Sequence, residues 1–181
     1  LRGRLTRNLI YSTKPLLEHI DRIEDNITEY DRILSRMAKT DHRSQRLMEL
    51  KGIGPTTACA LVASIGNAHD FKNGRQLAAW LGLTPSQYSS GGKSKLGRIT
   101  KAGDSYLRTL LVQRARSVLI GAEKRTDLFS RWVCSLVDRR GYWRAVVAIA
   151  AKNARLCWHH CITVMISGCT QPAKARNKIT I

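Results

Sequence analysis

The chain has 181 residues, enough for one domain with a real core and an appendage. Lysine and arginine total 31 against 13 acidic residues, a net charge of +18, and the imbalance is local: residues 50–181 hold twenty-one basic side chains and five acidic ones. A polyanionic partner follows, nucleic acid first; the charge is spread along the chain rather than stacked on one amphipathic helix, which argues against a membrane surface.

Five cysteines without a CxxC pair, in a chain too large to need cross-links, read as reduced thiols of a cytosolic protein. No secretory signal is recognisable, and the apolar stretch near Val146–Ala151 is too short to span a bilayer. The chain opens on Leu1 without a methionine and reads as a piece of a longer protein.

Leu16, Ile20, Ile23, Ile27, Tyr30, Leu34 and Met37 are spaced alternately by four and three residues, a heptad seam with charged residues filling most positions between. Carried back one repeat the seam reaches Leu9, with Pro15 as a start or a kink. A helix over Leu16–Met37 would be about 33 Å long. So narrow a seam usually meets another helix, from a partner subunit or a returning segment. Residues 1–41 are therefore read as a coiled-coil, oligomerising part; the alternative is an ordinary amphipathic core helix.

In residues 42–66 two helical stretches flank Gly52-Ile53-Gly54, and Pro55 opens the second. The glycines permit a tight turn that exposes amide N–H groups beside a helix N-terminus, where a phosphate oxygen fits. The pattern resembles a helix-hairpin-helix motif, with Ala58, Leu61 and Val62 on its packing face and Lys51 beside the turn. A hairpin that packs and touches no ligand is the bland alternative.

In "NGRQLAAWLG", Asn73 is the expected N-cap, Gln76 follows three residues on, and Gly82 stops the helix. Next comes "QYSSGGKSKLGRITKAGD", residues 87–104, the centre of about twenty residues without helix signals, long enough for a function or a small β-hairpin. Asp104 caps the helix that follows. Leu107, Leu110, Leu111, Val118 and Leu119 form its core face, and Arg108, Arg114 and Arg116 are left for the solvent side. Further helices are expected at 127–139 and 142–167. The tail at 170–181 is basic and loose. The fold class is mainly α: a coiled-coil helix, then a compact helical domain over 42–169 holding the helix-hairpin-helix and the Gly/Ser/Lys loop.

Five scattered acids, mostly at cap positions, do not make a two-metal nuclease centre. Cys157, His159, His160 and Cys161 invite a zinc reading, but on a helix only the two cysteines share a face, so apolar thiols in a core helix are the simpler account and no metal ligands are assigned. That leaves Ser86, Ser89 and Ser90. Ser90 precedes Gly91-Gly92, and Lys93, Lys95, Arg98, Lys101 and Arg108 could hold a phosphate near it. Serine attacks poorly unless its proton is taken, and His69 has no evident relation to the loop. From chemistry alone a phosphate-binding loop comes ahead of a nucleophile.

Residues 50–115 also carry, in order, "GIGP", "QLAAWLGLTP", "SSGGK" and "ITKAGDSYLR", with "KNARLCW" following at 152–158. This series resembles the C-terminal transposase domain of the IS110/IS1111 insertion-sequence family. The resemblance implies an N-terminal RuvC-like domain with an acidic Mg²⁺ centre, absent here, then a coiled coil, then this domain. It implies a serine that attacks DNA to form a phosphoserine link, mapping onto Ser90 with Ser89 as fallback. It further implies oligomers (dimer or tetramer) on double-stranded DNA, a structured guide RNA as partner, and a prokaryotic, cytoplasmic setting on the nucleoid. The nucleic-acid contacts would come from Lys51, Gly52, Gly54 and the loop cations named above. No P-loop is present, as befits transesterification without ATP. Two other classes stay open: a noncatalytic nucleic-acid-binding module, and an assembly platform.

Overall fold

The computed structural model describes residues 2–66, 68–93 and 95–169. The seam's extension to Leu9 concerns a side chain outside those described, and the tail at 170–181 lies outside the described residues altogether.

The first helix, α1 (Arg2–Thr40), has 39 residues and continues through Pro15. A helix starting at Pro15 is thus corrected. Pro15 sits on an exposed stretch, where water can take the carbonyl that its missing N–H leaves unpaired. The heptad seam faces solvent: Ile20 and Ile23 are each 43% exposed and Tyr30 is 67% exposed. Among the described residues, no returning segment covers it from Leu16 to Tyr30; Leu34 is half-buried where the helices at His42–Met48 and Pro55–Ile65 meet the end of α1. α1 meets the rest of the chain near its end, where Ala38 is buried and the Cys59 thiol lies 3.7 Å from the Leu34 carbonyl oxygen.

The compact part begins with α2 (His42–Met48), whose N-cap Asp41 accepts from the Ser44 N–H at 3.0 Å. α3 (Pro55–Ile65) starts on its proline. After a single 3-10 turn at Ala68–Asp70 comes α4 (Gly74–Trp80). Asn73 accepts from the Gln76 N–H at 3.0 Å, and the Gln76 side chain reaches back to the Lys72 N–H at 2.7 Å. α4 ends as a Schellman motif: Gly82 N–H donates to Ala79 and Leu83 N–H to Ala78.

Two strands follow, β1 (Pro85–Gln87) and β2 (Leu96–Ile99), paired antiparallel with Pro85 opposite Ile99 and Gln87 opposite Leu96. The long loop is a hairpin. α5 (Ser105–Ala122), α6 (Leu128–Arg140) and α7 (Tyr142–Cys169) complete the chain. The fold is mainly α, as the sequence predicts.

α7 is the axis of the core, with α2, α4, α5 and α6 packed around it. Its buried face alternates small and branched residues, Ala145, Val146, Ile149, Ala150 and Ala154, so neighbouring helices approach closely. α2, α4 and α5, together with α3, contribute Leu47, Leu61, Leu77, Leu107 and Leu111, all fully buried and each stabilising by about 1.5–3 kcal/mol relative to exposure. No described helix is long and apolar enough to cross a membrane.

Candidate functional site

The hairpin stands on a rigid foot. Gly82 has φ +67 and Gly103 has φ +74, and the backbones at the two ends of the hairpin lie against each other. A Cβ on Gly82 would come within 2.3 Å of the Ala102 carbonyl oxygen. Lys101 N–H donates to Gly82 and Thr100 N–H to Thr84, closing the base. Arg108 locks it further: its Nη1 donates to the carbonyls of Leu81 (3.1 Å) and Ala102 (2.9 Å).

Arg108 is therefore half-buried and ties α5 to the foot, whereas the sequence assigns it to a phosphate. Arg114 and Arg116, also expected on the solvent side of α5, are half-buried too. Long guanidinium side chains can fold back along their own helix, which positional periodicity does not register.

At the far end, Ser90 and Lys93 face each other across a two-residue turn, with Lys93 N–H donating to the Ser90 carbonyl at 3.1 Å. Gly91 (φ +57) and Gly92 (φ +77) both take the positive φ that a type I′ turn requires. Ser89 and Ser90 are exposed, but they differ. The Ser89 hydroxyl accepts from Gln87 Nε2 at 2.9 Å, while the Ser90 hydroxyl has no hydrogen-bond partner among the described residues. Ser86 is a strand residue whose hydroxyl donates to the Arg98 carbonyl at 3.1 Å.

Lys93, Lys95, Arg98 and Lys101 are all exposed, and residues 84–103 contain no acid. Asp104, the first acid after them, caps α5 by accepting from the Tyr106 and Leu107 N–H groups. The hairpin is thus an uncompensated positive arm with two serines at its end.

The Gly52-Ile53-Gly54 turn is packed down. A Cβ on Gly52 would lie 2.4 Å from Val118 Cγ2, and buried Asn153 donates to the Lys51 carbonyl at 3.2 Å. Arg114 lies over Gly54, its Nη2 3.1 Å from where a Cβ would stand. Lys51 reaches Asp127 at 2.6 Å, so its charge is locally matched. That contact and the Ser130 hydroxyl hold the Asp127 carboxyl well below the usual carboxylate range.

A groove of about 1110 Å³ runs between the hairpin and helices α4, α6 and α7. Its floor is one face of α7, where Arg144, Ala148, Ala151 and Arg155 follow at intervals of four, three and four. Arg75, Arg98 and Lys101 stand on the other walls with Trp132, Trp143 stands at the start of α7, and no acid lines the groove. Trp143 is 67% exposed. The spacing of the two α7 arginines was the available signal, but their walls come from segments far away in sequence.

Among the described residues, no three His, Cys, Asp or Glu side chains come together to hold a metal ion. Cys157 and Cys161 sit one turn apart in the core, and burial pushes both thiols up.

Residues 44–130, from α2 into α6 and including the whole hairpin, match the family model described as Transposase IS116/IS110/IS902 family. The chain is similar to a probable family 20 transposase of Pseudomonas aeruginosa, 45% identical over 145 residues, covering 80% of this chain and 43% of that protein. It is similar to the transposase for insertion sequence element IS1111A of Coxiella burnetii, 42% identical over 135 residues (75% of this chain, 37% of that protein). A pilin gene-inverting protein of Moraxella bovis is 28% identical over 144 residues (77% of this chain, 44% of that protein). The chain spans less than half the length of each of these relatives. With the serine-tipped hairpin inside the matched segment, the chain belongs to the IS110 family of transposases.

Proposed function

We propose that the intact protein carries out site-specific strand exchange on double-stranded DNA, with Ser90 as nucleophile and Ser89 as fallback. Ser90 Oγ attacks a backbone phosphorus; an Oγ–P ester bond forms as one P–O bond to a deoxyribose breaks. The hydroxyl proton passes to a base outside the described residues and from there to the departing deoxyribose oxygen, which leaves as a hydroxyl. One phosphoester replaces another, so no nucleoside triphosphate is consumed. Lys93, Lys95 and Arg98 hold the phosphate and offset charge that develops on it. The Gly52–Gly54 turn, with Arg114 beside it, grips a second stretch of backbone as a helix-hairpin-helix would.

The supporting observation is the Ser90 hydroxyl, without a hydrogen-bond partner among the described residues, at the tip of an exposed, acid-free cationic hairpin. A relative named for inverting a pilin gene fits the same chemistry, since inversion and transposition both break and rejoin DNA. The heptad seam on α1 serves homo-oligomers, a dimer or tetramer, and a structured guide RNA shares the basic surface. Mg²⁺, expected in a RuvC-like domain of the longer protein, finds no ligand set among the described residues, and no step here passes through it.

The test is a covalent adduct. Full-length protein incubated with DNA bearing the element's ends should give a band that survives denaturation, and Ser90→Ala should abolish it. If Ser90→Ala and Ser89→Ala each leave adducts and transposition intact, the nucleophile lies elsewhere. A binding-only role for the hairpin has one observation in its favour: no described histidine or carboxylate bonds the Ser90 hydroxyl. It requires affinity that falls steeply with salt and no phenotype tied to either hydroxyl.

A further inference from the structure

The groove between the hairpin and α7 combines features that the strand-exchange reading leaves unused. Five cations line it without one acid, and two indoles stand among them. One, Trp132, has the Lys152 ammonium 3.9 Å from its ring centroid, so one of its faces is taken. The other, Trp143, is 67% exposed at the start of α7, with Tyr142 against it edge-on and the Arg116 guanidinium 5.8 Å from its ring centroid. An indole so exposed contributes little to folding; Arg116 engages one face of it, as Lys152 does on Trp132, and much of the ring is still open to solvent.

The dimensions select the ligand. Arg144 and Arg155 are eleven residues apart on α7, about 16 Å along the axis. At about 3.4 Å per stacked nucleotide that separates the two arginines by roughly five nucleotides, within the range of single-strand binding folds. The groove's volume, about 1110 Å³, is small for a duplex, which is wider than its own major groove of about 12 Å. A second copy of a chain carrying +18 meets like charge here and is disfavoured.

We propose that this groove holds a single strand of DNA, with a base stacked on Trp143 and phosphates on Arg144, Arg155 and Arg98. The identification of the strand as DNA rests on the strand-exchange reading, in which cleavage beside the hairpin releases such a strand. The groove then keeps the freed strand at the foot of the same hairpin that carries Ser90 instead of letting it diffuse.

Fluorescence anisotropy of the chain with a short labelled thymidine oligomer, its ribose counterpart and a duplex of equal length tests this. Trp143→Ala should weaken the DNA strand about tenfold, as loss of one stacked base does, and leave the duplex within about twofold. Trp143→Phe should recover most of the loss. Arg155→Gln should lower the salt slope for the strand by about 0.7. An unchanged melting temperature for Trp143→Ala keeps folding out of the comparison. Equal weakening of strand and duplex, no effect of Trp143→Ala, or an effect confined to the ribose oligomer would each overturn the proposal. Adduct formation is read separately: Ser90→Ala abolishing adducts while Trp143→Ala leaves strand binding unchanged removes the groove and keeps the nucleophile. The reverse pattern keeps the groove and removes the nucleophile.

Discussion

Gly103 lies so close to Trp80 that a Cβ built on it would stand 1.8 Å from the Trp80 carbonyl oxygen. Its φ of +74 adds a second obstacle to any side chain, since the left-handed backbone alone costs about 1–2 kcal/mol. Gly103→Ala is expected to lower the melting temperature markedly and to abolish nucleic-acid binding through the hairpin. Gly91→Ala is the control: its φ is +57, but nothing lies within 4 Å of the added methyl. It should carry only the backbone cost, lower the melting temperature far less than Gly103→Ala does, and reduce only what depends on the tip. Differential scanning fluorimetry with a binding titration separates the two.

Arg108 and Lys93 should part company under mutation. Arg108→Ala leaves the Leu81 and Ala102 carbonyls without their donor and should cost about 1–3 kcal/mol in urea unfolding. It should leave the salt slope of duplex binding unchanged once folding is restored by cooling. Lys93→Gln and Lys95→Gln should leave stability intact and reduce that slope by about 0.9 each. A melting temperature that does not respond to Arg108→Ala would show that the two hydrogen bonds contribute nothing at the foot.

The Lys51–Asp127 pair sets an acid limit. Because the folded protein holds the Asp127 carboxyl below its ordinary value, the pair's stabilisation is fully present above the unfolded carboxyl's pKa and fades as pH drops toward the folded one. Melting temperatures of the wild type and Asp127→Asn should differ by a constant amount above about pH 5 and converge below about pH 4. A gap that is independent of pH down to pH 2 would assign the difference to capping of α6 alone.

The α1 seam should govern assembly without governing the fold. Ile23 and Ile27 are 43% and 56% exposed, so Ile23→Glu with Ile27→Glu removes no core contact. Light scattering should report a shift from oligomer to monomer with an unchanged circular dichroism spectrum of the compact part. Unaltered mass would assign the seam to another partner.

Local chemistry was legible in this sequence and distant chemistry was not. Asn73 with Gln76, Gly82 after α4 and Asp104 before α5 mark helix ends by bonds spanning six residues or fewer, and each is made as expected; Pro55 opens α3 through its fixed φ rather than through a bond. Gly91-Gly92 marks the hairpin tip for the same reason. The Lys51–Asp127 pair joins segments 76 residues apart, and nothing near either residue announces the other. Arg108 was legible as a residue on α5 but not as one that folds back to two carbonyls. The groove needs Arg75, Arg98, Trp132 and Arg155 from four elements, so only the packing of α4, α6 and α7 assembles it.

α1 has a mechanical consequence. Every residue from Thr13 to Arg32 is exposed, and from Thr13 onward the helix is clamped only between Ile33 and Ala38, so that stretch behaves as a cantilever. From Ala38 to Thr13 its reach is about 38 Å, so a tilt of about ten degrees at the root sweeps the outer end through roughly 6 Å. Leverage runs both ways: whatever clasps the outer end can pry at the contact between Leu34 and Cys59 with far less force than would be needed at the contact itself.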